Sequence, residues 1–592
     1  MGRLKKSTTL NLNYMSTSER KSKIEAWESI SWDLLEYRVH RVQRRIYKAS
    51  FLGNQKQLFW LQNKLIRSPD AQLLAVRIVT TLYKNIFVHT FGKVSELTGE
   101  QKLQMSRNLH LDGKAISNLQ LFMPSTTHIQ TRVFDLVFLI DKAKQVLAKF
   151  VLEPEWEARF EDSSYGARSG RSAHDAIDEV FLCMQSRSLK WIGEYNLNTC
   201  LTKLQPAFII QKLNTFSQMN KQLQAWLNSG ILREYFSSVD FNENIPTLAE
   251  LAHNDVLATL LINVLLYDLE NYLSNLFCIT SNCSKNRGDK LTLLTSIRYI
   301  GKFILINENE GEMKVCMAET SKWLLLNGIP LSSENFRLRK GSEGFTFLGF
   351  QVIQIKKLNS YKVKIIPSRT ARIQLLLRVR DILQKNKSAS AFNLICCLRP
   401  VILGWAKYFR HCECKEVFDK LSYQLFGQLR AWVFRRDTRN GRSIVKERYF
   451  PSSNIYLYEG NLHKDRWVLF GTKKDLNGKL LTTHLPKISW VSRVPYIKIK
   501  SNYSPYNGDH LYWSKRHCNY RGLPIILQKL LIKQKHLCVR CKEPFLTSAE
   551  FEIRHIISIQ VGYTTELSNL QVVHRNCCTN RTMIKIPQNN KP

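Results

Sequence analysis

The stretch that most constrains this chain is Leu152-Glu-Pro-Glu-Trp156-Glu-Ala-Arg-Phe160-Glu-Asp-Ser-Ser-Tyr165-Gly-Ala-Arg168-Ser-Gly170-Arg171-Ser172-Ala-His174-Asp175-Ala-Ile177. Ser172 followed three residues later by Asp175 reads as a capping box, in which hydroxyl and carboxylate answer backbone N–H groups that a helix start leaves unpaired. Ala176, Ile177, Val180 and Phe181 then begin an apolar stripe, so a helix opens after Ser172. Arg168 and Arg171 flank Gly170 just ahead of that helix. They form either a plain surface loop or a phosphate contact, since guanidinium forks and helix N-termini both favour polyanions.

The chain has 592 residues, enough for several domains, and at 44% hydrophobic it can bury several cores. Its 87 Lys and Arg against 48 Asp and Glu leave a net charge of +39, spread along the whole length. That charge suits nucleic acid phosphates first and an anionic membrane surface second. The longest apolar run, Val256 to Leu266 broken by Thr259 and Asn263, is too short to span a bilayer and reads as core. The 14 cysteines are scattered, with Cys538/Cys541 and Cys577/Cys578 as the clusters near other ligand types, which favours a reducing compartment over a disulfide framework. Met1 to Arg20 lacks the apolar segment of a secretory signal.

The run from Leu152 to Ile177 resembles the fingers-palm junction of the reverse transcriptase-like proteins encoded by group II introns, whose pattern is close to L-E-P-x-W-E-x-x-F-x-x-x-S-Y-G-F-R-P-G-R-S-x-H-D-A-I. The resemblance implies a multidomain fold, α/β and α+β: reverse transcriptase-like fingers and palm, a helical thumb or domain X, and a small ββα-metal HNH module. Residues 1–22 are read as a disordered basic N-terminus. Helices are expected over Ile24 to Lys48 and Leu61 to Leu82, within an N-terminal extension and eroded fingers spanning 23–140. Arg45-Ile-Tyr-Lys-Ala-Ser50 carries the likeness to that extension. The palm is placed at 141–360, domain X at 361–450, a linker or DNA-binding spacer at 451–510, and the HNH-like zinc module at 511–592.

Polymerisation needs two Mg²⁺ ions, hard cations held by carboxylate oxygens. Such a family supplies them from a strand resembling D-A-D-I-x-G-x-F-D and from Y-A-D-D. Here the first strand reads Glu194-Tyr-Asn196-Leu-Asn-Thr-Cys200-Leu-Thr202, with Asn196 and Thr202 at the carboxylate positions, and the second motif reads Tyr299-Ile300-Gly301-Lys302-Phe303. Asn196, Gly301 and Lys302 therefore mark lost polymerase positions. Glu194 and Asp255 are the nearest substitutes, one off register by two residues and the other in a turn. Coulomb repulsion from Lys302 further opposes a cation, so the palm is read as a scaffold.

Gly344-Phe-Thr-Phe-Leu-Gly349-Phe350 matches the last palm segment, and the region from 367 to 450 resembles domain X. Leu398, Ile402, Trp405 and Phe409 fall on one helix face while Arg399, Lys407 and Arg410 point elsewhere, and Arg435 and Arg436 continue the basic series. With the resemblance, Arg168, Arg171, Arg399, Lys407, Arg410, Arg435 and Arg436 are read as RNA contacts, because interleaved arginines and aromatics suit structured RNA. The final module runs through Cys538-Val-Arg-Cys541, Arg554-His555, Asn569 and His574-Arg-Asn-Cys577-Cys578. Its order resembles an HNH nuclease, which implies His555 as general base, Asn569 as the loop residue and His574 as a metal ligand. Arg554 and Cys578 depart from the ligand pattern, since a thiolate is softer than Mg²⁺ prefers. Cys538, Cys541 and Cys577, with Cys578 or a nearby His, are read as a structural zinc set.

The reading is an intron-encoded maturase that binds its group II intron RNA and assists splicing without reverse transcriptase activity. The alternative is an HNH-type DNA endonuclease acting in intron homing, and a third is a generic basic RNA-binding protein. Zinc is the implied cofactor, with Mg²⁺ for any residual nuclease activity. Intron RNA is the implied partner, followed by target DNA and a homodimer, with no membrane. An organelle is implied, a plastid ahead of a mitochondrion.

Overall fold

The computed structural model describes residues 27–91, 97–115, 128–201, 206–231, 257–280, 294–474, 478, 480–500, 503–509, 511–513, 515–516, 525–540, 545, 551–556 and 567–574. The readings made for residues 1–22 and for Thr202, Asp255, Cys541, Cys577 and Cys578 fall outside them.

A 3-10 turn at Trp27–Ser29 precedes α1 (Trp32–Phe51), which buries Leu35, Val39, Ile46 and Ala49 along one face. The helix expected over Leu61 to Leu82 is in fact two, α2 (Gln55–Ile66) and α3 (Pro69–Phe91). Pro69 disfavours helical backbone at Ser68 and restarts the helix as its first residue. After α4 (Gly99–Arg107) comes α5 (His128–Glu157), with Pro154 inside it. Proline has no N–H for the carbonyl four residues back, and Gln43 of α1 donates to that Phe150 carbonyl instead, at 3.0 Å. Ser50 donates to the Glu155 carbonyl at 2.9 Å and Gln62 to its carboxylate at 2.6 Å, so α1 and α2 grip the end of α5. The capping box forms as read at the start of α6 (Ala173–Met184): the Ser172 N–H donates to Asp175 Oδ2 at 2.8 Å.

A four-stranded antiparallel sheet follows. Strand β1 (Trp191–Asn196) leads into α7 (Asn198–Leu201), α8 (Pro206–Leu213), α9 (Ser217–Asn228), α10 (Ala258–Leu265) and α11 (Leu269–Thr280). Then come β2 (Thr295–Tyr299), β3 (Lys302–Asn307), α12 (Glu310–Leu326) and β4 (Phe336–Lys340), in the order β2-β3-β1-β4. The sheet is a wall between two cores. Tyr195, Phe303 and Leu305 join the core built with the N-terminal helices. Ile192, Ile297, Ile304 and Ile306 join the one shared with α6 and the second half of the chain. Period-two alternation of apolar residues with both faces buried accounts for the arrangement.

A second sheet, β5 (Phe345–Phe347), β6 (Phe350–Lys357) and β7 (Ser360–Pro367), turns through Leu348 and Gly349, both at positive φ. It feeds the helices α13 (Arg369–Lys385), α14 (Ala391–Phe409), α15 (Lys415–Arg436) and α16 (Arg442–Tyr449). Ser368 and Ser390 cap α13 and α14 by accepting from Ala371 N and Asn393 N.

The described residues between 451 and 510, expected to be a linker or DNA-binding spacer, include packed hairpins and buried apolar side chains. Hairpins β8 (Ile455–Tyr458) with β9 (Asn461–Lys464) and β10 (Phe470–Lys474) with β11 (Leu480–His484) are followed by an extended segment that returns to the sheet. Tyr458, Leu469, Leu485, Ile488 and Ile499 are buried in the second core, and this apolar area outweighs the turn-rich composition on which the linker reading rested. Gly471 lies so close to α14 that a Cβ there would sit 2.5 Å from Phe392 N. The returning segment converges on Asp175, whose Oδ1 accepts from Ile499 N and from the Arg516 guanidinium, each at 2.8 Å. Tyr496 shares a hydrogen bond of 2.8 Å with Ser172, and Gly170 makes room for the Trp513 ring. His174 and His411 lie 4.8 Å apart beside it, bonded to the Tyr408 and Val494 carbonyls. Burial, then the neighbouring His174, pushes His411 down to about 4, so a neutral ring donates to its carbonyl at neutral pH.

The last elements, α17 (Ile525–Lys533), β12 (Phe551–His555) and β13 (Leu570–His574), have a core of their own around Leu530, Leu531, Cys538, Phe545, Val572 and Val573. Among the described residues no helix is long and apolar enough to cross a membrane.

Asp175→Ala would leave Ile499 N, Ser172 N and the Arg516 guanidinium without their acceptor. The full chain should lose about 3–5 kcal/mol in denaturant unfolding, as expected when one partner of a buried ion pair is removed. A loss under about 1 kcal/mol would show that Asp175 does not hold the returning segment.

Candidate nucleic-acid interface

At the end of the sheet where polymerase carboxylates would stand, Asn196 faces Lys302 in register, and Ile300 and Gly301 form the turn between β2 and β3. A Cβ on Gly301 would lie 2.6 Å from the Asn198 side-chain oxygen, so an amide occupies the space beside the turn. Asn335 donates to the Asn196 carbonyl at 3.0 Å and to the Thr199 hydroxyl at 2.9 Å, closing the site with neutral groups. Glu194 is held by Arg339 at 3.1 Å, so its charge is already compensated. The turn is close-packed: Ile300 sits at positive φ, and a Cβ on Gly166 would come within 2.5 Å of Ile300 N. Asn263 donates to the Gly166 carbonyl at 2.7 Å and fixes that approach.

Arg168 is a structural residue, which corrects its reading as an RNA contact. Its side chain is 3% exposed, Nε and Nη2 bond the Glu157 carboxylate at 2.9 and 3.0 Å, and Nη1 bonds the Glu161 and Ser164 carbonyls. Four of its donor contacts lie within the protein. Arg171 is likewise buried, bonding the Asp162 carbonyl at 2.8 Å and pairing with its carboxylate at 3.6 Å. Sequence adjacency to a helix start suggested phosphate binding, but the carboxylates of α5 and its following loop fold over both guanidiniums. Arg298, which the sequence did not single out, is the third buried arginine here and bonds Glu161 at 2.7 Å and the Leu266 carbonyl.

In the helical region the apolar and cationic faces separate as read. Leu398, Ile402 and Phe409 are buried and Trp405 half-buried, its indole donating to the Ala371 carbonyl at 3.3 Å. Arg399 and Lys407 are exposed on the same helix. Arg410 is half-buried and paired with Glu459 of the β8–β9 turn at 3.4 Å. Arg435 is exposed, whereas Arg436 bonds the Ala389 and Lys387 carbonyls between α13 and α14 and lies over the Trp432 ring at 5.2 Å. Arg430, also exposed and one turn before Phe434 on the same helix, was missed for want of a sequence match.

In the terminal module the β12–β13 hairpin pairs His555 with Leu570, and Ile556 N donates to the Asn569 carbonyl at 2.7 Å. His555 and Asn569 are thereby brought to one end. His574 pairs with Phe551 at the other end. Four residue steps separate it from the level of His555, roughly 13 Å along the strand. Arg554 is tied to Glu552 on its own strand at 3.2 Å. Cys538 is fully buried, and the residues that would complete a zinc set with it lie outside the described ones.

Three segments match known families. Residues 27–109 match "N-terminal domain of reverse transcriptase", 374–450 match "Group II intron, maturase-specific domain" and 538–582 match "HNH endonuclease". That order, on a mixed helix and sheet fold, resembles a reverse transcriptase-like maturase with an appended HNH module. "Maturase-like protein 1" of Euglena gracilis is 26% identical over 417 residues, covering 68% of this chain and 81% of that one. The protein of the same name in Euglena longa is 22% identical, covering 72% and 86%. "Group II intron-encoded protein LtrA" of Lactococcus lactis subsp. cremoris is 21% identical over 309 residues, about half of each chain at 50% and 49%. In these segments and relatives the chain is similar to group II intron maturases.

Arg435→Ala should leave thermal unfolding unchanged and weaken binding to intron RNA. Arg436→Ala should instead lower stability by about 1 kcal/mol, because it strips a hydrogen bond from the turn between α13 and α14. Filter binding and thermal melts on the two single variants check this, and equal behaviour of the pair would refute the division.

Proposed function

We propose that this protein binds its group II intron RNA and assists splicing, without copying RNA into DNA. The observation that carries the reading is the contrast between two regions of one chain. The maturase region keeps a packed core beneath the exposed cations Arg399, Lys407, Arg430 and Arg435. The polymerase position offers Asn196, Gly301 and Lys302 where two-metal chemistry requires carboxylates. Phosphate neutralisation by those cations supplies affinity that falls with salt, and unpaired bases supply specificity. The relatives in Euglena support an organellar setting, and within it we place a plastid ahead of a mitochondrion.

Purified protein added to its intron transcript should accelerate splicing at Mg²⁺ concentrations where the RNA alone reacts slowly, and should extend no primer with Mg²⁺ or Mn²⁺. Splicing at the same rate with and without protein would overturn the first half, and primer extension the second.

A second reading, DNA cleavage by the terminal module, is favoured by the placement of His555 beside Asn569 at one end of the hairpin. In it His555 activates water, a divalent cation polarises the phosphate, and zinc on Cys538, Cys541, Cys577 and Cys578 would be purely structural. Arg554, bound to Glu552, brings no oxygen or imidazole to that cation. Nicking of an intronless target plasmid is therefore expected to be weak in Mg²⁺. Efficient Mg²⁺-dependent nicking, abolished in His555→Ala, would place this activity level with splicing.

A further inference from the structure

Between α1 and the returning segment lies an open cleft of about 700 Å³ to which no function has been assigned above. One wall is α1, carrying Arg41, Arg45 and Lys48 at i, i+4 and i+7, all exposed, so they share a face. The opposite wall is Tyr503, Ser504, Tyr506 and Asn507, contributed from more than 450 positions further along the chain. Tyr506 is the wedge that joins them: it is 6% exposed, and its ring lies 5.6 Å from His40 and 6.3 Å from Tyr47. At the floor, the carboxylates of Glu157 and Asp162 are already engaged by Arg168 and Arg171. The charge presented at the mouth is consequently positive.

The rim carries an aromatic plate. Phe51 is 70% exposed, and its ring stacks on Tyr47 at 6.4 Å with 9° between planes. A large apolar ring held face-parallel at the edge of a cationic cleft, instead of turned into the core, is shaped for another flat ring. Arg41 and Arg45 are separated by one helical turn, about 6 Å along the axis, so they can engage successive charged groups of one chain.

We propose that this cleft holds an unpaired segment of RNA, with phosphates on Arg41, Arg45 and Lys48 and a base stacked on Phe51. The proposal rests on the RNA-binding reading above and specifies where an unpaired strand is held. A duplex hides its base faces and offers Phe51 nothing to stack on, whereas a splayed strand offers one face per nucleotide. The cleft exists only while residues 503–507 are docked, so it is a property of the whole chain.

The test uses the full-length protein and a fluorescent oligouridylate, with an RNA duplex and an oligodeoxyuridylate of the same length as further arms. Phe51→Ala should weaken oligouridylate binding about tenfold, toward the lower end of what stacking one base contributes. Arg41→Gln with Arg45→Gln should weaken it at least as much and reduce the slope of log K against log salt by about 1.4, two contacts' worth. Duplex binding should change less than threefold in Phe51→Ala, and thermal melts should be unchanged because these side chains are exposed. Photocrosslinking of a thiouridine-substituted strand should map to α1 or to residues 503–507. The proposal is overturned if the variants bind oligouridylate like the parent, if Phe51→Ala weakens strand and duplex equally, or if the deoxy strand is preferred. Strand binding that depends on these residues, in a protein that does not stimulate splicing, supports the cleft while sinking the splicing reading. Splicing stimulation with strand binding indifferent to all three substitutions does the reverse.

Discussion

Strand β3 is buried on both faces, and the rest of the molecule depends on it. Phe303 and Leu305 look into the core of the N-terminal helices, Ile304 and Ile306 into the core of the second half. Because side chains alternate strictly along a strand, a slip of one residue would exchange the two sets and spoil both cores together. The register is further fixed where the preceding turn is clamped, with Ile300 at positive φ against Gly166 and the Gly166 carbonyl bonded by Asn263. The strand is thus held in register by packing on both of its faces. Gly301 and Lys302 lie at the turn where the strand begins and not along the apolar length that packs both cores.

The loss at that tip is more than deletion. Asn196 and Lys302 face each other, Asn335 ties down the backbone beside them, and Asn198 fills the space next to Gly301. Asn335 bonds the Asn196 carbonyl and the Thr199 hydroxyl, and with Lys302 alongside, Asn196, Asn198 and Gly301 put no acidic cluster at this tip whose repulsion would have to be tolerated in the folded state. A carboxylate returned to one of these positions would stand beside Lys302 and pair with it before it met a metal.

Much of this was legible in residues. The capping box at Ser172 and Asp175 and the apolar face of α14 depend on short-range spacing, and this a sequence displays directly. What was illegible depends on partners distant in the chain. Arg168 reads as a phosphate ligand until Glu157 closes on it. The passage after Pro451 reads as spacer because its apolar residues are spread singly among turns, without a period that marks one face, and they acquire a common face only once the hairpins lie on α14. Asp175 shows both sides: its role toward Ser172 is local and was read, while its role toward Ile499 and Arg516 spans more than 300 positions and was not. In the terminal module the likeness supplied His555, Asn569 and His574 as one set, and the hairpin register separates the third from the other two.

The anchorage of Arg516 on Asp175 also sets a leash. The terminal module resumes at Ile525, nine residues on, and a fully extended chain advances at most about 3.6 Å per residue. The start of α17 therefore stays within roughly 32 Å of the Arg516 backbone, whatever orientation the module takes. The terminal module is thereby held on a tether whose reach is set by a short run of backbone between an arginine and a helix.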